Sequence, residues 1–340
     1  MSGPLLSLEG LTVALSDGVP LVRGLDLAIA RGEVLAVVGE SGCGKSMTAL
    51  AVMGLLPDGI RIAGGALRFD GTDLGGLSRK RLRDLRGRRI AMIFQEPMTS
   101  LNPVLSIGEQ VAEVVLGHER VSRRAAWDRA REMLERVRLP NAAGRLHAYP
   151  HQLSGGQRQR VMIAAALACG PELIIADEPT TALDVTIQAE ILHLLDELRR
   201  ERGLALMLIT HDLGVVATMA DRVAVMYAGR KIEEGPVAAV LSAPLNPYTR
   251  LLMAARPDPA RGRATRLVEI PGAVPSPRAM PPGCAFAPRC PEARAACRAA
   301  VPAWVVPGGE AGGDAGADAG QPHGVACVLH AAPTPPGGRG

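Results

Sequence analysis

The residues with the clearest chemical meaning form a glycine-rich segment, residues 39–46, which we name the phosphate loop. It reads Gly39-Glu40-Ser41-Gly42-Cys43-Gly44-Lys45-Ser46 and matches G-x-x-x-x-G-K-[ST] over its whole length. Its three glycines allow a tight backbone turn, so that N–H groups can point at phosphate oxygens. We expect Lys45 to reach the β- and γ-phosphates of ATP and the Ser46 hydroxyl to bind Mg²⁺. A chance glycine turn is the alternative, and the complete match disfavours it.

The residues that follow extend this candidate site. Residues 46–56 predict a helix whose positive N-terminal end adds to the attraction for phosphate. Thr48 brings a further hydroxyl near the phosphates. The candidate nucleotide-binding residues of this part of the chain are Gly39, Ser41, Gly42, Cys43, Gly44, Lys45, Ser46, Met47 and Thr48.

A second glycine-containing motif, Leu153-Ser154-Gly155-Gly156-Gln157, is named the signature segment. Ser154, Gly155 and Gly156 are expected to open a helix and to form a second phosphate-binding N-terminus, with Gln157 beside them. One chain already carries one phosphate loop. A second phosphate clamp is useful if it faces the loop of another subunit, so the sequence predicts ATP bound between two ATPases.

Polar residues that follow predicted buried strands supply candidates for hydrolysis. Asp177 follows the apolar run 173–176 and can hold Mg²⁺ through water, while Glu178 can accept a proton from the attacking water. Gln95 can contact both the metal ion and the water, and His211 can hydrogen-bond the γ-phosphate. Taken singly, these residues could be a polar turn, a loop glutamine and a structural histidine. Their positions at ends of parallel strands favour a catalytic role.

The elements around these residues predict an α/β fold. Residues 7–30 alternate apolar and polar positions, which indicates antiparallel strands. Short apolar runs alternate with helices and predict a mainly parallel sheet; these runs are 34–38, 90–94, 173–177, 205–210 and 222–228.

We therefore predict an ATP-binding core formed by residues 1–95 and 166–235, interrupted by a helical subdomain at 96–165. Ser122 is a candidate N-cap inside that subdomain. Residues 236–340 form a C-terminal extension, in which the Gly/Ala/Asp-rich stretch near 307–320 is expected to be disordered.

Composition limits the function classes. The net charge of +4 is small for 340 residues and gives no case for nucleic-acid binding. We find no signal peptide, and no run approaches the ~18 apolar residues that cross a bilayer. If the protein acts at a membrane, another chain is expected to supply the span.

Four of the six cysteines lie in the extension, with the spacing C-x₅-C-x₆-C and a distant fourth. This spacing matches neither common paired zinc motifs nor the usual ferredoxin run. Four unrelated thiols therefore remain an alternative to a metal site at Cys284, Cys290, Cys297 and Cys327.

Residues 5–235 resemble an ABC-type ATPase, in which a RecA-like parallel sheet carries an antiparallel β subdomain and an inserted helical subdomain. The resemblance implies that Gln95 is the Q-loop glutamine, Asp177 the magnesium aspartate and Glu178 the catalytic base. It further implies a D-loop at Ala182-Leu183-Asp184 and a switch histidine at His211. One departure is Leu15, which stands where the family usually stacks adenine on an aromatic ring.

Finer features resemble the ATPases of bacterial dipeptide/oligopeptide importers. They are the segments 94–103, Tyr149-Pro150-His151-Gln152, Asn246-Pro247-Tyr248-Thr249-Arg250 and 283–290. This resemblance implies ATP hydrolysis that drives peptide import from the cytoplasmic face of the inner membrane. The implied partners are two membrane permeases, a second related ATPase subunit and an extracytoplasmic solute-binding protein.

The same resemblance bears on the cysteines, because some members of that family hold an iron–sulfur cluster. It favours a [4Fe-4S] cluster over Zn²⁺, with His323 and His330 as extra ligands in the zinc alternative. Two alternatives for the function remain open. One is an importer ATPase for nickel or another solute, and the other is an ABC-type ATPase in DNA repair.

Overall fold

A computed structural model of the chain describes residues 3–95, 100–180, 184–255, 270–307 and 322–330. The predicted disordered stretch therefore lies almost entirely outside the described residues. So do residues 96–99 of the predicted Q-loop and most of the predicted D-loop.

The larger sheet has eight strands in the order β11-β12-β10-β9-β3-β8-β7-β6. Its centre is parallel, because β3 pairs in parallel with both β8 and β9, β7 with β8, and β6 with β7. The strands are β3 (Val34–Val38), β6 (Ile90–Ile93), β7 (Leu173–Asp177), β8 (Ala205–Ile209), β9 (Arg222–Tyr227), β10 (Arg230–Pro236), β11 (Trp304–Val305) and β12 (Gly324–Ala326). This arrangement confirms the predicted α/β class.

A second sheet is antiparallel and has the order β2-β1-β4-β5. Its strands are β1 (Leu6–Leu15), β2 (Pro20–Ile29), β4 (Ile60–Phe69) and β5 (Thr72–Asp73). The alternation in residues 7–30 thus predicted the first two strands correctly, since strand periodicity places every second side chain on the buried face.

Helices cover the parallel sheet and build the segment between β6 and β7. They are α1 (Lys45–Met53), α2 (Arg79–Leu85), α3 (Ile107–His118), α4 (Arg123–Arg136), α5 (Ala142–Arg145), α6 (Gly155–Leu167), α7 (Val185–Arg202), α8 (Leu213–Met219), α9 (Val237–Ser242), α10 (Pro247–Ala254) and α11 (Ala295–Ala299). The side chain of Ser122 accepts a hydrogen bond from the Ala125 amide, as its predicted N-cap role requires.

Strand β3 lies between two hydrophobic clusters and is buried on both faces. Val34, Ala36 and Val38 pack into the cluster shared with the helical segment, whereas Leu35 and Val37 pack into the cluster shared with the antiparallel sheet. A strand that is covered on both faces has a continuous run of apolar residues in its sequence. The loop that follows β3 is therefore anchored from both sides of the sheet.

The C-terminal extension continues the larger sheet, which the sequence did not predict. Strand β12 pairs with β10, and β11 pairs with β12. Every helix in the described part of the chain is too short or too polar to span a lipid bilayer.

Candidate nucleotide-binding site

The phosphate loop leaves the C-terminal end of β3 and enters α1 directly. Its glycines have positive φ angles of 153° at Gly39, 77° at Gly42 and 103° at Gly44, a region that residues with a Cβ rarely adopt. A Cβ on Gly39 would lie 2.2 Å from the Met226 carbonyl oxygen. Glycine is thus required for the close approach of the loop to β9.

The Lys45 side chain is buried and folds over the loop that precedes it. Its Nζ donates hydrogen bonds to the carbonyl oxygens of Gly39 at 2.6 Å and Glu40 at 3.1 Å. Burial raises the pKa of the nearby Cys43 thiol. The loop's own carbonyl groups therefore hold Lys45 Nζ over the loop, a position suited to contacting a bound phosphate.

The phosphate loop and the end of β7 meet through Ser46 and Asp177. The Ser46 hydroxyl donates a hydrogen bond of 3.2 Å to Asp177 Oδ1. Burial raises the pKa of Asp177, the hydroxyl of Ser46 opposes this shift, and the charge of Glu178 adds to it. One hydroxyl and one carboxylate in contact are oxygen ligands of the kind that Mg²⁺ prefers.

Glu178 lies where three strand ends converge. Its φ of 47° is unusual for a residue with a side chain, and its N–H donates to the Ile209 carbonyl at 2.9 Å. Its Oε2 accepts a hydrogen bond from Gln95 Nε2 at 3.2 Å and lies 3.4 Å from His211 Nδ1. Gln95 and His211, which follow β6 and β8, therefore both contact the same carboxylate oxygen of Glu178, which follows β7.

This cluster is open to solvent on the side of His211. The His211 side chain is 66% exposed, whereas that of Glu178 is only 18% exposed. A half-enclosed carboxylate beside an exposed imidazole and an amide can hold a water molecule against a ligand on the phosphate loop.

The signature segment forms the N-terminus of α6. The Ser154 hydroxyl accepts a hydrogen bond of 3.4 Å from the backbone N–H of Gln157. In return, the side-chain Oε1 of Gln157 accepts one of 3.2 Å from the backbone N–H of Ser154. Ser154 and Gly155 are exposed, while Gly156 is buried. A Cβ on Gly156 would lie 2.6 Å from Ile187 Cγ2. The segment thus packs tightly on α7 and presents Ser154 and Gly155 to solvent.

Three other predicted positions lie at the margin of the site. Thr48 is fully buried, and its hydroxyl donates to the Gly44 carbonyl at 2.9 Å. Met47 is half-buried and packs against the cluster under the antiparallel sheet. Leu15 is half-buried at the end of β1, where it pairs with Ile60. Roles for Thr48 and Met47 in nucleotide binding remain predictions.

Sequence reasoning missed three residues that contact the phosphate loop or its supports. Tyr248 and Arg289 both contact Glu40, and Tyr227 contacts Arg289. Tyr248 and Arg289 lie in segments 246–250 and 283–290, which carried the importer resemblance. Their place in these segments marked Tyr248 and Arg289 as residues of interest, but nothing in the sequence indicated that both contact Glu40.

The four cysteines of the extension lie near one another. Burial raises the pKa of Cys284, Cys290 and Cys327, and neighbouring thiols add to each shift. For Cys327 the contributing thiols are those of Cys284, Cys297 and Cys290. Yet nowhere in the described ranges do three or more His, Cys, Asp or Glu side chains converge as ligands of a metal ion.

The two histidines of the zinc alternative have other partners. His323 Nε2 lies 2.7 Å from Glu233 Oε1, and His330 Nε2 lies 2.9 Å from the Leu245 carbonyl oxygen. The Nε2 atoms of His323 and His330 are thus used in contacts with β10 and with the segment after α9.

Two family models match the chain. The model described as ABC transporter matches residues 22–181, which include the phosphate loop, the signature segment and the Asp177–Glu178 pair. The model described as oligopeptide/dipeptide transporter, C-terminal region, matches residues 232–297. The chain belongs to the ABC transporter family of ATPases.

Similar proteins are found along most of the chain. It is 55% identical over 280 residues to the "Probable peptide ABC transporter ATP-binding protein y4tR" of Sinorhizobium fredii, covering 82% of this chain and 84% of that protein. It is 48% identical over 302 residues to the dipeptide transport ATP-binding protein DppD of Escherichia coli, covering 88% and 92%.

Solved structures of ABC ATPases share the fold. A dimeric post-hydrolysis state of the ATP-binding cassette MJ0796, bound to ADP and Pi, has a TM-score of 0.61 at 29% identity, covering 68% of this chain and 98% of that one. CbiO1 of Clostridium perfringens, part of the transporter complex CbiONQ, has a TM-score of 0.62 at 31% identity, covering 71% and 92%.

Proposed function

We propose that this ABC ATPase powers the import of dipeptides or oligopeptides through a membrane transporter. The observation that carries the ATPase part is the shared contact of Gln95 and His211 with Glu178 Oε2, one residue from the Asp177–Ser46 contact. The peptide class rests on relatives named for peptide and dipeptide transport.

In the proposed reaction each side chain has a separate task. Loop N–H groups and Lys45 would hold the phosphates, while Ser46 and Asp177 would hold Mg²⁺, whose charge would offset that of the phosphate oxygens. Glu178 accepts a proton from the attacking water as the new bond to the γ-phosphorus forms. The bond from that phosphorus to the bridging oxygen breaks, and ADP leaves with the electron pair.

Positioning of the water is assigned to Gln95 and His211. Both lie within 3.4 Å of the carboxylate oxygen that takes the proton. Gln95 can also contact the metal ion, and His211 can hydrogen-bond the γ-phosphate. Because these residues come from the ends of different strands, small shifts between strands would change their alignment.

The working assembly we infer contains two ATPases and two membrane permeases at the cytoplasmic face of the inner membrane. Ser154, Gly155, Gly156 and Gln157 would clamp ATP on the loop of a second, related ATPase. An extracytoplasmic solute-binding protein would deliver the peptide to the permeases. The relative that is part of a transporter complex supports assembly with other subunits.

The experiment is Glu178→Gln, which keeps the size of the side chain and removes the base. We expect Mg²⁺-ATP binding to persist and turnover to fall by about 10²-fold or more. Glu197→Gln, which removes an exposed carboxylate paired with Arg138, is the matched control and should leave turnover unchanged. Normal hydrolysis by Glu178→Gln would refute the assignment.

The substrate class needs its own assay. Cells that carry the transporter with Glu178→Gln should lose uptake of labelled dipeptides and short oligopeptides, while the wild-type chain supports it. Loss of nickel uptake with unchanged peptide uptake would instead favour the nickel alternative.

A metal centre at Cys284, Cys290, Cys297 and Cys327 also remains a proposal. Its support is that burial, and then the nearby thiols of Cys284, Cys297 and Cys290, raise the pKa of Cys327. Zn²⁺ and an iron–sulfur cluster both need converging ligands, and the described residues offer no such group for either, so the preference for [4Fe-4S] rests on the importer resemblance alone. Anaerobically purified protein should contain iron and sulfide, and metal-free protein with four reactive thiols would contradict it.

A further inference from the structure

Arg289 of the C-terminal extension binds the phosphate loop through hydrogen bonds to Glu40. Arg289 is only 9% exposed. Its Nη1 donates to Glu40 Oε2 at 2.7 Å, and its Nη2 donates to Glu40 Oε1 at 3.0 Å. Glu40 is the second residue of the phosphate loop. A bidentate contact between a guanidinium and a carboxylate fixes both the distance between the two groups and their relative orientation.

The guanidinium is itself held in place by other groups. Nε donates to the Pro271 carbonyl at 2.8 Å, Nη2 to the Ile270 carbonyl at 3.1 Å, and Nη1 to the Tyr227 hydroxyl at 3.2 Å. The hydrogen bonds to Glu40 raise the pKa of Arg289. Arg289 is therefore a charged, oriented anchor.

The backbone of Glu40 is restrained as well. Its N–H donates to the Tyr248 hydroxyl at 2.9 Å, and its carbonyl accepts from Lys45 Nζ at 3.1 Å. Tyr248 is fully buried, and its ring centroid lies 4.7 Å from that of Tyr227 and 5.2 Å from that of Phe286. The Glu40 carbonyl also accepts from the Cys43 backbone N–H at 3.3 Å. Two of the four residues that hydrogen-bond Glu40, Tyr248 and Arg289, thus lie beyond position 236.

The charge of Glu40 gives this contact a consequence for nucleotide binding. Glu40 is the single acidic residue of the phosphate loop. An unpaired carboxylate there would repel a triphosphate, because like charges at short range in a partly buried site are weakly screened. The contact with Arg289 both neutralises the carboxylate and directs it toward the extension.

We propose that Arg289 is a positioning residue for the nucleotide, acting through Glu40. It keeps the Glu40 carboxylate paired and directed away from the phosphates. The extension then contributes to ATP affinity although it contains none of the proposed catalytic residues. This inference rests on the proposed function as an ATP-binding subunit.

The test compares Arg289→Gln, Glu40→Gln and the double variant in the full chain. Titration with Mg²⁺-ATP should show a dissociation constant about 10-fold higher for Arg289→Gln, a change equivalent to one charged contact. Glu40→Gln alone should change it less than about 3-fold, since no carboxylate remains to repel the phosphates. The double variant should recover to nearly the wild-type affinity for the same reason.

Kinetics and a conservative variant separate positioning from simple stability. Arg289→Gln should raise the KM for ATP while kcat stays nearly unchanged, since no catalytic group is removed. Arg289→Lys keeps the charge without the two-pronged geometry and should fall between wild type and Arg289→Gln. It also serves if Arg289→Gln fails to fold.

Arg278→Gln is the matched control, because Arg278 also joins the extension to the core, through Asp17 at 2.5 Å. It should leave ATP affinity unchanged. A wild-type dissociation constant in Arg289→Gln, or a double variant as weak as Arg289→Gln, would overturn the inference. Absence of ATP binding by the wild-type chain would instead overturn the proposed function.

Discussion

Asp177 is subject to opposing influences on its ionisation. Burial raises its pKa, the Ser46 hydroxyl lowers it, and the neighbouring charge of Glu178 raises it again. The net direction is upward. A proton therefore competes with Mg²⁺ for this carboxylate at a higher pH than for an ordinary aspartate, whose pKa is about 3.9.

This competition predicts a pH-dependent need for magnesium. Below the raised pKa the protonated form of Asp177 predominates, so the Mg²⁺ concentration for half-maximal ATPase activity should rise as the pH falls. The rise should approach about tenfold per pH unit, since one proton is displaced for each ion bound. The measurement is a series of Mg²⁺ titrations of ATPase activity from pH 8 downward.

Asp177→Asn separates this effect from protonation of ATP itself. The variant should need more Mg²⁺ at every pH but should show a shallower dependence on pH than the wild type. Identical slopes in the two proteins would show that Asp177 does not titrate against the metal ion.

At the scale of elements, the sequence predicted what local patterns determine. Continuous apolar runs predicted β3 and β7, and the polar residues at their ends proved to be neighbours, as the Ser46–Asp177 contact shows. Parallel strands bring their carboxyl ends to one edge, so this proximity follows from the topology. The division at residues 96, 166 and 236 stays a prediction.

Contacts between distant segments could not be read from such patterns. Glu40 and Arg289 are 249 positions apart, and neither residue has a periodic or spacing signal. Likewise β12 has only three residues, and it joins β10 through pairing at Glu233 and Glu234. Pairing across such a separation depends on the completed fold.

The α6–α7 contact yields a prediction at this scale. Gly156→Ala would place a methyl group 2.6 Å from the Cγ2 methyl carbon of Ile187, so either α6 or the Ile187 side chain must shift. Overpacking of this kind costs about 1–3 kcal/mol, and we expect a lower midpoint in thermal unfolding. Gly117→Ala in α3, where no atom lies within 4 Å of the new Cβ, is the control. It should leave stability unchanged or slightly higher, because alanine favours helix. Equal midpoints for both variants would contradict the close approach.

At the scale of the whole molecule, the chain carries a single copy of each motif. The phosphate loop is joined to the larger sheet through β3, and the extension contacts it at Glu40. The signature segment presents Ser154 and Gly155 to solvent at the N-terminus of a helix. If this exposed helix N-terminus binds phosphate, as we propose, a chain with a single phosphate loop needs a second subunit to supply the ATP.

Ser154→Arg tests that pairing. The larger, charged side chain would block the approach of a second subunit, so hydrolysis on the partner's loop should fall by about 10²-fold, the scale of removing a phosphate donor. ATP binding to this chain's own loop should persist, because Ser154 lies outside that loop. Ser122→Arg is a close control, since Ser122 also caps a helix, by accepting from the Ala125 amide at 3.2 Å. The Ser122→Arg variant loses a helix N-cap of the same kind but should keep full ATPase activity. Full activity of Ser154→Arg, or of a strictly monomeric preparation, would refute the two-subunit site.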